Sequence, residues 1–495
     1  MRTLFARKYC WQPSVTAASN SISFHRRLCR SAIDHRRHST DTDQCAIGTG
    51  GQFGGGGNIE VRQTQKVTVM RFVVLTLLTA ICGSVAAQVL SGTALAVAPG
   101  LLVTNQQVVA ESNFIGVIAE AERHTQKASP PVTGRGVLSQ LVRVGVASPL
   151  TGPLSYIGVD IRNGVQLAIE EANKANVLIG GKSVQFVMVA EDDQADSKRA
   201  ITVAQSLVDS KVVGVVGHFN SGASIPASKI YAAAGIPQIS PSSTSPDYTR
   251  HGYKTTFRVI AHDDQQGPIL GRYALNRLKA KSIAVIDDGT AYGRGLAGSF
   301  VHTVNAGGAN VVLWESTTDQ ETNFNTVLNR IKGETPDLIM FGGIDPQAAQ
   351  IKRQMDELGI KAGFIGGDGM QTLNFINIAG DSAEGAMASI PGLPLDAMPR
   401  GETFRAQYRA RFNAEVELFA PMSYDAAMVF IKATLRSGLT DPARFLSEVT
   451  KTNYNGVIGP ISFDDNGNLK NGTITIYVVR RGKWEPLETI AVSNE

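Results

Sequence analysis

From Leu141 onward, segments that are typical of strands alternate with segments that are typical of amphipathic helices. Val142–Ala147 is a short apolar run, and Ile161, Val165 and Ala168 then lie on one face of a helix. The alternation resumes after Phe257–Ile260 and continues through several more pairs. Because βα repetition produces parallel sheets covered by helices on both faces, we predict an α/β fold with two lobes, each with its own parallel sheet.

Two of these strands end in loops that are rich in serine, glycine and proline. Val212–Val216 leads into Gly217–Ser224, and Ile236–Ile239 leads into Ser240–Pro246. In an open parallel sheet, ligands bind beyond the carboxyl ends of the strands, and helix N-termini there hold anions such as carboxylates. The loops contain no obvious nucleophile–base pair. We therefore predict a protein that binds a small polar molecule without transforming it, and we expect neither enzymatic activity nor a cofactor.

The first part of the chain differs in composition from the remainder. Residues 1–69 are rich in Arg, Ser and Gly without periodicity, so we predict that they are disordered or that translation begins at Met70. Met70–Ala87 has a basic start, a short apolar stretch and small residues at its end, which is typical of a secretory signal peptide; a buried helix or a membrane anchor is the alternative. A bulky residue precedes Cys82, so we expect no lipid anchor there. Residues 88–140 are interpreted as a linker.

Charge and cysteine usage argue against several classes of function. The excess of basic residues lies at the front of the chain, whereas nucleic-acid binding requires a clustered basic face. The chain after Cys82 contains no cysteine and offers no thiolate for a metal or for catalysis. His218, His251, His262 and His302 are scattered without the spacing of paired ligands, so we expect no metal site.

One motif favours a different class of protein. Gly293–Gly298 satisfies G-x-G-x-x-G, and Glu315 ends the next predicted strand, as in a dinucleotide-binding fingerprint. However, Asp287–Tyr292 separates the preceding strand from the first glycine, where the fingerprint requires a tight turn. An NAD-dependent oxidoreductase is therefore a remote alternative. The adjacent acids Asp263 and Asp264 are interpreted as loop or hinge residues.

Eight short motifs occur along the chain in a fixed order, and together they are far more specific than any one of them. They are Gly145–Pro153, Gly217–Ser221, Ser240–Pro246, Asp264–Pro268, Tyr292–Gly293, Phe341–Gly343, Gly366–Gly369 and Gly459–Asp464. In this respect the chain from Leu141 to its C-terminus resembles the periplasmic branched-chain amino-acid-binding family, the solute receptors of ABC importers.

The resemblance implies a type I periplasmic binding fold, in which two Rossmann-like lobes close over a ligand like a Venus flytrap. Three hinge crossings are then expected near Val259–Asp264, Ile390–Pro394 and Gly459–Asp464. Lobe 1 would comprise residues 141–260 and 395–459, and lobe 2 would comprise residues 261–394 and 460–495. The partners implied are ABC-transporter permease subunits, and the receptor is expected to be a periplasmic monomer.

The resemblance also implies roles for single residues. Ser221 matches a position whose hydroxyl donates to the ligand carboxylate, Ser242 one with main-chain contacts, and Thr244 one that uses both N–H and hydroxyl. Asp368, from the other lobe, matches an acid that pairs with the ammonium, and Tyr292 matches an aromatic residue that lines the site. On the residues alone, Ser221 and Thr244 are more typical of helix caps and turns than of ligand contacts, and Asp368 is as typical of a turn as of a ligand contact.

Two positions depart from the pattern of the family, which often has tyrosine where Ile157 and Ile344 stand. The neighbouring Tyr156 is a candidate to replace the first. These three residues are the expected pocket wall. Because the wall departs from the pattern of the family, the preference for a particular ligand side chain stays open. We predict a receptor for a branched-chain or other aliphatic L-amino acid. A sensor for another amino-acid-like or amide ligand on the same fold is the alternative, but no signalling segment follows the last predicted strand.

Overall fold

The computed structural model describes residues 95–98, 101–103, 140–179, 181–438 and 442–492. The predictions for residues 1–69, for the signal peptide and for Cys82 therefore lie outside the described residues. Within the predicted linker, β1 (Leu95–Ala98) and β2 (Leu101–Val103) pair antiparallel and belong to a separate unit of the chain. All remaining described elements belong to the unit Thr133–Glu495.

The first sheet of this unit has six strands in the order β4-β5-β3-β6-β7-β8. Its strands are β3 (Gln140–Ser148), β4 (Leu178–Ile179), β5 (Lys182–Asp192), β6 (Gly214–Gly217), β7 (Gln238–Ser240) and β8 (Thr256–Arg258). The helices that follow them are α1 (Ser155–Lys174), α2 (Ser197–Asp209), α3 (Ser221–Ala233) and α4 (Asp247–Arg250). All neighbours from β5 to β8 are parallel, which confirms the predicted α/β class.

The second sheet has seven strands in the order β10-β9-β11-β12-β13-β16-β17. Its strands are β9 (Ser282–Asp287), β10 (Asn310–Ser316), β11 (Leu338–Gly342), β12 (Gly363–Gly366), β13 (Met387–Pro391), β16 (Thr473–Arg480) and β17 (Lys483–Ala491). Its helices are α5 (Asp263–Asn276), α6 (Ala291–Ala306), α7 (Asn325–Glu334), α8 (Asp345–Glu357) and α9 (Leu373–Ala379). Short 3-10 helices lie at Asp368–Met370 and Gly380–Ala383.

Both sheets are mixed, so the prediction of parallel sheets is corrected at their edges. In the first sheet β4 pairs antiparallel with β5. β9 to β13 pair in parallel, but β16 pairs antiparallel with β13, and β17 pairs antiparallel with β16. Arg481 and Gly482 connect β16 to β17 with φ values of 52° and 68°. Positive φ at both central residues is the requirement of the tight turn that favours a two-residue hairpin.

The segment between the sheets packs on the first one. Its elements are a 3-10 helix at Leu395–Ala397, α10 (Gly401–Phe412), α11 (Ala420–Ser437), α12 (Pro442–Thr450), β14 (Tyr454–Asn455) and β15 (Pro460–Ile461). The Asp160 carboxylate on α1 accepts from the backbone N–H groups of Phe419 and Ala420 at 2.8 Å, where α11 begins. A side chain at Gly164 would come within 2.2 Å of the Ala420 carbonyl oxygen, so glycine permits this close approach of α1 and α11.

The chain passes between the two sheets at three places. Asp425 on α11 fixes the third passage by accepting from the backbone N–H groups of Val457 and Ile458. Phe463, assigned to lobe 2 from sequence, instead packs against Phe257 of β8 with ring centroids 4.9 Å apart. The chain therefore joins the second sheet only at β16. None of the described helices is long and apolar enough to cross a bilayer.

Candidate ligand site between the two sheets

Serine side chains join the two loops that the sequence singled out. β6 and β7 are parallel neighbours, so the loops that follow them lie at the same edge of the sheet. The Ser221 hydroxyl accepts from the Ser245 backbone N–H at 3.2 Å, and the Ser242 hydroxyl donates to the Phe219 carbonyl at 2.7 Å. Ser221 is the first residue of α3, and in the described chain no side chain caps this helix. The structure thus brings together the two loops that carry Ser221 and Ser242.

A buried arginine stabilises the second loop, Ser240–Pro246, through hydrogen bonds to its carbonyl oxygens. Arg258, at the end of β8, is fully buried and donates to the carbonyl oxygens of Ser243 at 2.7 Å and Ser245 at 2.8 Å. It also donates to the Thr249 hydroxyl at 3.1 Å, and its guanidinium lies 5.2 Å from the Tyr248 ring centroid. Burial lowers the pKa of Arg258 to about 10, so it stays charged near neutral pH. Sequence reasoning missed this residue, because arginine is almost never fully buried.

Asp368 and Tyr292 lie on the second lobe and contact each other. Asp368 opens the 3-10 turn after β12 and is 4% exposed. Its Oδ1 accepts from the Tyr292 hydroxyl at 3.0 Å and from Gln266 Nε2 at 2.8 Å. The Tyr292 hydroxyl itself accepts from the Gly369 backbone N–H at 3.0 Å. Burial raises the pKa of Asp368 to about 6.

A second buried acid, which sequence reasoning interpreted as a hinge residue, faces the same region. Asp263 begins α5, and its backbone N–H donates to the Thr244 carbonyl at 2.9 Å. Gln266 Nε2 lies 3.2 Å from Asp263 Oδ1 and 2.8 Å from Asp368 Oδ1, so one amide bridges both carboxylates. Burial, and then the negative charge of Asp368, raise the pKa of Asp263 to about 8.

The sequence does not indicate that Asp263 is buried and that its neighbour Asp264 is not. Asp264 is partly exposed and forms an ion pair with Arg250 at 2.5 Å, whereas Asp263 is fully buried. An acidic residue in the first turn of a helix is common at surfaces, because it interacts favourably with the helix dipole. Which of two adjacent acids turns inward depends on the path of the chain between the lobes.

Two buried polar atoms at this point have no hydrogen-bond partner among the described residues. They are the Thr244 hydroxyl oxygen and Asp263 Oδ2, and Thr244 lies near enough to the Asp263 carboxyl to offset part of the rise in its pKa. Helix α6, on the same lobe as Asp263, comes close, since a side chain at Gly295 would lie 3.8 Å from Asp263 Oδ2. Buried polar groups are normally paired, and an unpaired one costs about 1–3 kcal/mol. The arrangement therefore offers acceptors for a cationic group between the two lobes.

The three expected wall residues lie in different surroundings. Ile157 is 2% exposed and belongs to the core of the first lobe, not to the lining of the cavity between the lobes. Ile344 lines that cavity. The Tyr156 hydroxyl donates to Asp345 Oδ2 across the gap at 2.5 Å, and Thr372 Oγ1 donates to the same oxygen at 2.7 Å. Tyr156 therefore links the lobes.

The G-x-G-x-x-G motif lies inside a helix. All of Gly293–Gly298 falls within α6, whose first turn Thr290 caps by accepting from the Gly293 backbone N–H at 3.0 Å. A side chain at Gly293 would lie 2.3 Å from the Gly342 carbonyl at the end of β11. This glycine thus permits close packing of the helix on the sheet. A dinucleotide-binding turn would instead place the first glycine between strand and helix.

Comparison with known proteins gives consistent matches. Residues 141–483 match the family described as periplasmic binding protein. A Leu/Ile/Val-binding protein homolog of Brucella abortus is 36% identical over 347 residues, which cover 70% of this chain and 90% of that protein. The leucine-, isoleucine-, valine-, threonine- and alanine-binding protein of Pseudomonas aeruginosa is 33% identical, over 68% of this chain and 89% of the relative.

Solved structures match over the same part of the chain. The branched-chain amino acid transporter substrate-binding protein LivJ of Streptococcus pneumoniae, in complex with isoleucine, has a TM-score of 0.65 and 29% identity. The match covers 71% of this chain and 99% of LivJ. The leucine-binding protein LivK of Thermotoga maritima has the same TM-score and 28% identity, over 70% of this chain and 98% of that one.

Proposed function

This chain belongs to the periplasmic binding protein family, and we propose that it is the amino-acid receptor of an ABC importer. The family membership confirms the resemblance inferred from sequence. The observation that carries the proposal is the pair of buried carboxylates, Asp263 and Asp368, opposite the hydroxyl-bearing loops. Relatives that bind branched-chain amino acids support an aliphatic L-amino acid as ligand. The protein would bind and release this ligand without chemical change.

The ligand would lie between the lobes, with its carboxylate on the first lobe and its ammonium mainly on the acids of the second. Its carboxylate would accept hydrogen bonds from Ser221 and from the loop that holds Ser242 and Thr244. Its ammonium would donate to Asp368, to Asp263 and to the Thr244 hydroxyl. We call these five residues the clamp. Charge-assisted hydrogen bonds contribute roughly 1.5–3 kcal/mol each, so bonds made only when the lobes close would favour the closed form.

The lobes inferred from sequence, residues 141–260 with 395–459 and residues 261–394 with 460–495, would move about the three crossings, with Phe463 moving with the first lobe because it packs on Phe257. The bond between Tyr156 and Asp345 would form only on closure. The receptor would be monomeric, would be exported by the signal peptide Met70–Ala87, and would deliver its ligand to permease subunits outside the cytoplasm. A freestanding sensor on the same fold is the second candidate.

The first test of this function is a thermal stabilisation screen of the purified chain against the common L-amino acids. We expect at least one aliphatic amino acid to raise the melting temperature in a saturable way, because a ligand that binds only the folded form stabilises it by RT ln(1 + [L]/Kd). D-leucine is the control, because with its two charged ends on the clamp its inverted centre would direct the side chain away from the place that the L side chain occupies. Equal shifts with L- and D-leucine, or no shift with any amino acid, would contradict the proposal.

Amino-acid binding is also expected to depend on pH. Both clamp acids must be ionised to pair with an ammonium, and their pKa values are raised to about 6 for Asp368 and about 8 for Asp263. Lowering the pH from 8 to 6 should therefore weaken binding by about tenfold or more. Calorimetry in buffers of different ionisation enthalpy should detect proton release on binding.

The stability of the ligand-free protein should change in the opposite direction. Between about pH 4 and pH 8 the folded form binds more protons at these two acids than the unfolded chain, so their contribution to stability falls as pH rises.

The Asp263→Asn variant should show a weaker pH dependence of ligand binding than the wild type. Equal wild-type affinity at pH 6 and pH 8 would show that the ammonium does not lie between these carboxylates.

A further inference from the structure

A cavity of about 880 Å³, which we call the outer cavity, lies between the lobes beside the clamp. Tyr292, whose hydroxyl binds Asp368, lines this outer cavity, and so do Asn220 and Gly222 on either side of Ser221. Pockets of roughly 300–1,000 Å³ hold drug-sized ligands. A free aliphatic amino acid is much smaller than such a ligand. The outer cavity therefore has room for a group that extends beyond the amino and carboxyl ends of the ligand.

Three residues that line the outer cavity each carry a buried oxygen without a hydrogen-bond partner in the described chain. They are Asp288 Oδ2, Gln347 Oε1 and Asn220 Oδ1. Asp288 is 2% exposed and Gln347 is 6% exposed. Asn220 comes from the first lobe and the other two come from the second. Since an unpaired buried acceptor is costly, these atoms indicate a place for a group that donates hydrogen bonds.

The opposite ends of the same side chains are already engaged, which fixes the unpaired atoms as acceptors. The Gln347 amide nitrogen donates to the Asp319 carbonyl, and the Asn220 amide nitrogen donates to the Ala195 carbonyl at 3.0 Å. Turning either amide over would place its oxygen against a carbonyl oxygen. Asp288 Oδ1 accepts from the backbone N–H of Thr290 at 2.9 Å and from its hydroxyl at 2.6 Å. These contacts leave three unpaired acceptor oxygens on residues that line the same cavity.

The charges around the outer cavity favour a cation. Besides Asp288, the acids that line it are Asp196, Asp319 and Glu321, and the single base that lines it among the described residues is Arg294. The Arg294 side chain is 63% exposed and lies 3.7 Å from Asp287. An ammonium or a guanidinium carries donors and no acceptor, which matches a set of acceptors that includes a carboxylate.

We propose that the outer cavity binds the positively charged end of a ligand side chain, so that this receptor binds a basic amino acid more tightly than an aliphatic one of equal length. This inference rests on the proposed function, because the clamp must hold the amino and carboxyl groups of the same ligand. Apolar residues at the cavity, among them Leu154 and Ile344, would contact the methylene groups that connect the two ends.

Lysine and norleucine form the matched pair of ligands that tests the proposal, since they differ only in the terminal ammonium. In calorimetry with the full chain, we expect lysine to bind at least about tenfold more tightly than norleucine, as for a charge-assisted hydrogen bond. Asp288→Asn should bring the two affinities to within about threefold, because it removes the carboxylate and retains an acceptor for Thr290. Gln347→Met, which removes a different acceptor, should lower the same ratio.

Asp465→Asn is the matched control, because it makes the same chemical change at an exposed residue outside the cavity, and it should retain the wild-type ratio. The inference would be overturned if lysine bound no more tightly than norleucine. That result is also expected if the Arg294 side chain itself donates to these acceptors. An unchanged ratio in both cavity variants would overturn it as well. Binding of leucine and norleucine without lysine would leave the proposed receptor function intact, whereas failure of every common L-amino acid to bind would reject both proposals.

Discussion

Replacing Asp368 with asparagine is expected to weaken binding of the amino-acid ligand by at least about 1.5 kcal/mol, a loss of somewhat more than about tenfold in affinity. The variant loses the negative charge that pairs with the ammonium. It keeps an oxygen that can accept from Gln266 Nε2 and from the Tyr292 hydroxyl, the two protein contacts of Asp368. The affinity should be measured by calorimetry near pH 8, where both clamp acids of the wild type are substantially ionised.

Melting temperature separates a binding role from a structural one for Asp368. The negative charge of Asp368 raises the pKa of Asp263, so its removal relieves repulsion between two buried acids in the ligand-free protein. The ligand-free variant should therefore be at least as stable as the wild type at pH 8. Asp381→Asn, at an exposed acid of the same lobe, is the control and should change neither property. An unchanged affinity would place the ammonium elsewhere, and a large drop in melting temperature would indicate a structural role.

Periodicity predicted the strands and helices well, because it reports which face of each segment is buried. The expected strand Val142–Ala147 lies within β3, and the expected helical face of Ile161, Val165 and Ala168 is buried on α1. Periodicity does not predict which strands pair or in which direction, because pairing depends on where the chain returns to the sheet after a long intervening segment. β16 follows the segment that packs on the first lobe, and it enters the second sheet antiparallel to β13. No local pattern in residues 473–480 indicates that direction.

The positions of Ser221, Ser242 and Asp368 followed from the motifs, because each lies at the end of a strand where parallel sheets place their ligands. The burial of Asp263 could not be predicted, since its neighbour Asp264 has the same side chain and lies at the surface. The burial of Ile157, an apolar residue, could not be predicted either. It follows a motif that contacts the gap between the lobes, yet the rotation of α1 turns it into the core and turns Tyr156 toward Asp345.

Arg258→Met is the stability prediction with the largest expected effect. Methionine is flexible and fills a similar volume, but it donates no hydrogen bond. The variant leaves the carbonyl oxygens of Ser243 and Ser245 without their buried donor, and each such loss costs about 1–3 kcal/mol. We expect the free energy of unfolding, measured by urea denaturation, to fall by at least about 3 kcal/mol, which is the range for breaking a buried charged contact.

Arg250→Met is the matched control for this experiment. Arg250 lies in the same part of the first lobe, but its side chain is 61% exposed and its ion pairs with Asp247 and Asp264 are at the surface. Exposed ion pairs contribute about 0–1 kcal/mol, so this variant should lose little stability. Because Arg258 supports the loop that carries Ser242 and Thr244, its replacement should also weaken ligand binding in whatever folded protein remains. Equal stability of the two variants would mean that the loop keeps its conformation without the buried guanidinium.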